Sequence, residues 1–297
     1  MIERLCIVGV GLIGGSLARA VRAAGYCKEV IGTSRQADNL RRAVELGVID
    51  GFETDVAKAV VGADMIVVCV PMTAMGSVFA AMKGHLEPNA VLTDAGSAKA
   101  SVIESAREAF GDVPPFLVPG HPIAGTEHSG VEASFATLYQ GHRVILTPCK
   151  ETDPAAVERV REMWAVAGAN IDILEPAYHD EVLAATSHIP HLLAYSLVDL
   201  LGQMEERREI FKFAAGGFRD STRIASSDPA MWRDICLVNS EAIVSTLERY
   251  IGELSALTGA IRAGEGDQLF EKFARAKAIR DRYVVPEANS DEPDPPA

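Results

Sequence analysis

"LCIVGVGLIGGS", residues 5–16, is the stretch that decides the fold. Leu5 to Val8 is an apolar run of the kind that forms a buried strand. The run meets Gly9, and Gly9, Gly11 and Gly14 then stand in G-x-G-x-x-G order. A helical pattern, "SLARAVRAAG" (16–25), follows at once and stops at a glycine. Each glycine of the triplet has its own duty. Gly9 permits a tight turn, Gly11 lets a pyrophosphate approach the backbone, and Gly14 lets the helix pack closely on the strand. The helix N-terminus then presents free N–H groups and partial positive charge to phosphate. Leu12 and Ile13, inside the turn, are expected to line the same site.

The pattern continues outward. "EVIGTS" (29–34) reads as a strand, "ADNLRRAVELG" (37–47) as a helix, and "ADMIVVCVP" (63–71) and "NAVLTDAGS" (89–97) as further strands. "FLVPGHP" (116–122), "HRVILTP" (142–148) and "ANIDILEP" (169–176) complete the set. Strands alternating with helices predict a parallel α/β sheet of Rossmann type. From Ala177 to about Tyr283 apolar residues recur at three- and four-residue steps, which predicts long helices. The expected division is a dinucleotide-binding domain over 1–172, a helical substrate and dimerisation domain over 173–285, and a proline-rich acidic tail over 286–297. Apolar helices that one layer cannot bury point to a homodimer.

Composition sets bounds. The chain has 297 residues, 48% of them hydrophobic, and a formal net charge of −13. That charge argues against nucleic acid or an anionic membrane as partner. It leaves room for an anionic small substrate in a local basic pocket, because exposed charges are screened beyond about 8–10 Å. No apolar run reaches the roughly 18 residues of a membrane span. The N-terminus lacks a basic segment and a cleavage site and reads as a strand, so a cytoplasmic location is expected. The five cysteines are scattered with no zinc-like spacing, and Cys6 and Cys69, inside apolar runs, read as core residues.

Cofactor choice is read at the end of the second strand. NAD-binding turns usually carry an acidic residue there for the ribose hydroxyls. Here Ser34 and Arg35 occupy it, which favours the 2′-phosphate of NADP. Asp38 nearby keeps NAD open. Val70 and Pro71, at the end of the 63–71 strand, are expected to face the same cofactor.

Four patches carry polar chemistry. "TDAGSAK" (93–99) places Ser97 and Lys99 at the carboxyl edge of the sheet, where ligands of open α/β sheets bind. Ser97 also suits a helix N-cap. "GHPIAGTEHSG" (120–130) places His121 at a strand end, as a proton acceptor near neutral pH; His128 reads as peripheral. "SHIPH" (187–191) puts His188 and His191 on one helix face beside a kink at Pro190. No third ligand joins them, so no metal is expected. In "GGFRDSTRIASSDPAMWRD" (216–234), Gly216 and Gly217 read as a helix end, and Arg219 and Arg223 as cations able to grip a carboxylate.

Taken together, "GVGLIGGS", "DAGSAK", "GHPIAGTEHSG", "SHIPH" and "GGFRDSTRIASSDPAMW" resemble, in that order, the prephenate/arogenate dehydrogenase family. The resemblance implies a Rossmann domain followed by a helical dimerisation domain, and oxidative decarboxylation of prephenate or arogenate with hydride transfer to NADP or NAD, in tyrosine biosynthesis. It implies that His121 accepts the hydrogen bond of the ring 4-hydroxyl and that Ser97 touches both that hydroxyl and the nicotinamide region. Arg223 would grip the substrate carboxylate. Gly125, Thr126, His188 and His191 would surround the substrate, with His179 nearby and Trp232 as a pocket wall. Glu127 and Asp220 would gate the mouth. Two other readings compete. A 3-hydroxyacid or imine reductase of the same plan would want a helical-domain lysine, and none occurs between Lys150 and Lys212. A non-catalytic dinucleotide sensor would have lost Ser97, His121 or Arg223.

Overall fold

A computed structural model of the chain describes residues 1–126, 128–205 and 207–284. The expected acidic tail, 286–297, lies outside the described residues. The opening run ends the first strand, β1 (Ile2–Val8), and the glycine turn leads into α1 (Leu12–Ala23). The alternation continues through β2 (Cys27–Thr33), α2 (Ala37–Glu45), β3 (Gly51–Glu53), α3 (Val56–Ala59), β4 (Met65–Val68), α4 (Met75–Met82), β5 (Val91–Asp94), α5 (Ala100–Phe110) and β6 (Leu117–Val118). These six strands form one parallel sheet in the order β3-β2-β1-β4-β5-β6. The order reverses between β1 and β4, so the glycine turn sits at the switch point where such sheets bind ligands.

Alternate residues of the central strands feed two cores. Leu5 and Ile7 of β1, with Met65 and Val67 of β4, pack with α1 and α2; Cys6 and Val8, with Ile66 and Val68, pack with α4 and α5. Strands buried on both faces need no polar alternation, which is why they read as unbroken apolar runs. Burial pushes the Cys6 thiol up to about 12, as befits an inert core side chain.

The single strand expected at 116–122 is in fact two. Pro119 has no N–H to extend a ladder, and the chain passes there from β6 into β7 (Gly120–Pro122). β7 belongs to a second sheet, in which β8 (Arg143–Leu146) pairs antiparallel with β7 and parallel with β9 (Asn170–Ile173). α6 (Pro154–Val166) connects β8 to β9.

Beyond Ile173 the described chain is helical: α7 (Pro176–Leu183), a π-turn (Ala184–His188), α8 (Ile189–Gly202), α9 (Arg207–Lys212), α10 (Gly216–Thr222), a 3-10 turn (Arg223–Ser226), α11 (Pro229–Val238), α12 (Ser240–Ala263) and α13 (Gly266–Tyr283). α6, α7 and α11 each open on an acid–proline pair. Asp153, Glu175 and Asp228 accept first-turn N–H groups, and the following proline fills a position whose own N–H would be orphaned. The kink expected at Pro190 takes the form of the π-turn just before it, which absorbs the missing hydrogen bond. Gly216 and Gly217 open α10 instead of closing a helix; the extended backbone of Ala215 supplies the break.

The chain falls into two compact units, Met1–Ile243 and Val244–Ala297. Strands stop at Ile173 while packing thins at Ile243, so the change of secondary structure and the change of packing fall at different places. In the second unit an ion pair joins Lys272 to Glu253, and of its described residues only Ala260 is buried. No helix of the described residues is long and apolar enough to cross a membrane.

Candidate active site

The geometry of the glycine turn bears on what it can hold. Gly9 has a φ of +98°, and a Cβ there would lie 2.2 Å from the carbonyl oxygen of Cys69. A Cβ on Gly14 would lie 2.4 Å from the Gly9 oxygen and 2.7 Å from an Ile7 methyl. Gly11 is different: a Cβ there would meet nothing within 4 Å. Two glycines are therefore imposed by the protein's own packing, and the third borders open space. Gly11 also precedes α1 without any side-chain cap, so the first-turn N–H groups are available to an anion. The cradle fits a dinucleotide pyrophosphate. Val70 and Pro71 follow β4 beside it, and Val70 lies 3.3 Å from the Gly9 Cβ position. At the end of β2, Arg35 is exposed, and Asp38 is engaged in an ion pair with Arg41.

His121 lies on β7, one residue inside the second sheet, instead of in a loop beyond the first. A buried ion pair fixes that strand to the parallel sheet. Lys99, wholly buried, donates from Nζ to Asp94 Oδ2 at 2.5 Å and to the Gly120 carbonyl at 2.6 Å. Asp94 at the end of β5 also accepts from the N–H groups of Gly96 (2.7 Å) and Gly120 (3.1 Å). Every oxygen of this low-dielectric pair has a donor, the condition under which burying it is tolerable. Burial first, and then the neighbouring Lys99 charge, holds His121 well below the usual histidine range. It is a neutral ring, able to accept a proton.

Ser97 is half-buried in the loop before α5 and caps nothing. The N-terminus of α5 is capped from another element: Asp180 of α7 accepts from the N–H of Lys99 (2.7 Å) and of Ala100 (2.9 Å). The same carboxylate takes His179 Nδ1 at 2.8 Å, and His179 Nε2 lies 3.0 Å from His121 Nδ1. His179 is 0% exposed and stands behind His121. Burial pulls the Asp180 carboxyl up, but the hydrogen bonds from His179, Lys99 and Ala100 outweigh it and hold it below the usual carboxylate range.

The π-turn brings His188 under this group. Asn239, at the break between α11 and α12, donates to His188 Nδ1 (3.2 Å) and to the Asp180 carbonyl (3.0 Å). Burial, partly opposed by Asp180, lowers His188 to about 4, so it too is neutral. His191 hydrogen-bonds the Ser187 carbonyl through Nδ1 at 2.8 Å and stacks on Trp232 of the same chain, ring centroids 3.7 Å apart. Arg223 is exposed in its 3-10 turn, and its charge helps burial to lower His191. His121, His179, His188, His191, Trp232 and Arg223 thus form one neighbourhood. Gly125, Thr126 and Asp220 are exposed, and no hydrogen bond among the described residues links them to it. Glu127 lies outside the described residues. Asp180 and Asn239 escaped the sequence reading. The only trace of Asn239 was a polar interruption in an otherwise helical apolar pattern.

Room for a pyrophosphate beside Gly11, and a neutral histidine at the same edge of the strands, define a nucleotide-dependent dehydrogenase. Comparison with known proteins narrows that class. The family model for the prephenate dehydrogenase nucleotide-binding domain matches residues 17–173, and the model for the prephenate dehydrogenase dimerization domain matches residues 175–275. The chain belongs to the prephenate dehydrogenase family. It is 39% identical to the cyclohexadienyl dehydrogenase of Zymomonas mobilis over 94% of this chain and 95% of that one. The solved structure of prephenate dehydrogenase from A. aeolicus, in complex with hydroxyphenyl propionate and NAD+, is similar at a TM-score of 0.88 and 35% identity, covering 94% of this chain and 98% of that one. Synechocystis arogenate dehydrogenase is similar at a TM-score of 0.81 and 28% identity, over 95% of this chain and 100% of that one.

Proposed function

We propose that the chain oxidatively decarboxylates prephenate, arogenate or both, passing hydride to NADP or NAD in tyrosine biosynthesis. The observation that carries the reading is His121: neutral, half-buried, and backed through Nδ1, with Nε2 left without a protein partner among the described residues. The ring 4-hydroxyl donates to His121 Nε2, and its proton moves there as hydride leaves C4. The bond from C1 to the ring carboxylate then breaks, CO2 departs, and its electrons make the ring aromatic. The C4 oxygen takes the proton back from His121 and ends as a phenol. The bound dinucleotide supplies the hydride acceptor. Ser97 orients the hydroxyl toward that acceptor, and Arg223 holds the substrate carboxylate. His188 and His191 line the pocket, with Trp232 as a wall. Gly125 and Thr126 let substrate approach; Glu127 and Asp220 gate it.

Residues 1–172 bind the dinucleotide in this reading, and 173–285 shape the substrate pocket and the dimer. NADP is favoured because Arg35 is an exposed cation at the ribose end while Asp38 is occupied by Arg41. The enzyme works in the cytoplasm as a homodimer. The assay is absorbance of the reduced cofactor with each substrate and each cofactor in turn; silence in all four mixtures would sink the reading. His121→Asn should keep substrate affinity and lose on the order of 10²–10⁴-fold in kcat.

A further inference from the structure

We propose that Asp180, acting through His179, is a positioning residue that sets the tautomer of His121. The proposal rests on the reading of His121 as acceptor of the hydroxyl proton, and it deepens that reading. Asp180 is buried, and its oxygens face three donors: the N–H groups of Lys99 and Ala100 and the Nδ1 of His179. An ionised carboxylate only accepts hydrogen bonds. His179 must therefore carry its proton on Nδ1. In a singly protonated ring with its proton on Nδ1, Nε2 is then a lone pair. Facing it at 3.0 Å is His121 Nδ1. Two lone pairs at that distance repel, so His121 carries its proton on Nδ1 as well. The lone pair of His121 is left on Nε2, the nitrogen with no protein partner among the described residues.

No step of this chain has a free choice once the carboxylate is in place. A histidine that merely filled a core would need one partner. His179 has both nitrogens engaged, and the sequence of bonds ends on the one ring that is open to a ligand. The same carboxylate caps α5, whose approach loop carries Ser97. Asp180 thus holds Ser97 and His121 in register with each other. The cap alone would call for an acidic residue here, but not for a histidine relay leading away from it.

The test is the ring-nitrogen NMR spectrum of full-length protein labelled with 15N-histidine, with His121 assigned by its loss in His121→Asn, read beside steady-state kinetics. Wild-type protein should show His121 protonated at Nδ1 and bare at Nε2. Asp180→Asn can turn an amide N–H toward His179 and reverse the order of donors. His121 should then move toward the Nε2-protonated form, and kcat should fall roughly 10²–10⁴-fold with KM changed less than about threefold. His179→Gln can still accept from His121 and donate to Asp180, so it should keep the tautomer and kcat within about tenfold. His179→Phe should keep neither. A wild-type His121 protonated at Nε2 would overturn the proposal, as would Asp180→Asn with an unshifted spectrum and near-normal kcat. Should Asp180→Asn fail to fold, the wild-type spectrum and the Gln and Phe pair decide the question. A wild type inactive on both substrates would remove the functional reading, while the spectra would still decide the tautomer.

Discussion

At the scale of single residues, the three glycines of the turn separate what folding requires from what a ligand requires. Gly14→Ala would drive a methyl into Ile7 and the Gly9 carbonyl and should cost about 1–3 kcal/mol or more. Gly11→Ala adds a methyl to open space at a permitted φ of −111°. It should leave stability within about 1 kcal/mol while weakening dinucleotide binding by about tenfold, or 1.4 kcal/mol. Urea unfolding and cofactor titration of the two variants check this; equal loss of stability in both would refute it. The buried histidines predict a pH effect whose sign follows from their lowered values. His188, His121 and His191 sit below their unfolded value near 6.5. Above that pH they are neutral in both states and their contribution is fully present. Below it the unfolded chain binds protons first, and stability falls. For His188, lowered by burial to about 4, the loss between about pH 6.5 and pH 4 is on the order of 3 kcal/mol. Asp180, held low, loses its contribution only at more acid pH. Chemical denaturation from pH 7 to pH 4 checks the slope, which His188→Asn should flatten.

At the scale of elements, the joint between the two sheets depends on one ion pair. Lys99 and Asp94 are both wholly buried. Lys99→Met should therefore destabilise by about 3–5 kcal/mol, because it strands the Asp94 charge. Adding Asp94→Asn should return part of the loss in the same urea experiment; a loss that grows instead would refute the charge argument. Much of this level was legible in advance. The glycine turn, the apolar strands and the helical periodicity beyond Ala177 are local signals, each decided by a few neighbouring residues. The cap on α5 was not legible, because its carboxylate comes from Asp180, 80 residues beyond Ala100. Ser97 had the right chemistry for a cap and the wrong place. The split at Pro119 was hidden for a similar reason: the proline announces a break, but only the partner strands say that a second sheet begins there. His121 was singled out by its position at a strand end, whereas its link to His179 spans 58 residues and has no mark in the local pattern.

At the scale of the molecule, the second compact unit cannot shield its own apolar side chains. Phe270 is 74% exposed and Ile261 61%, with Phe273, Ile279 and Leu254 also open. A pair of helices left in that state calls for a partner surface, and the homodimer proposed above would meet that need with an identical one. The double variant Ile261→Asp/Phe270→Asp should halve the mass seen by light scattering; an unchanged mass would place the interface elsewhere. The joint at Pro119 has one more consequence. Leu117 and Val118 are registered against β5, and Gly120 to Pro122 against β8, with a single residue between the two ladders. That spacer is a ruler. Surface loops of enzymes drift in length over evolutionary time, but a residue gained or lost here would turn the histidine to the opposite face of its strand. The distance between two sheets, set by one proline, is thus the length standard against which the His121 ring is placed.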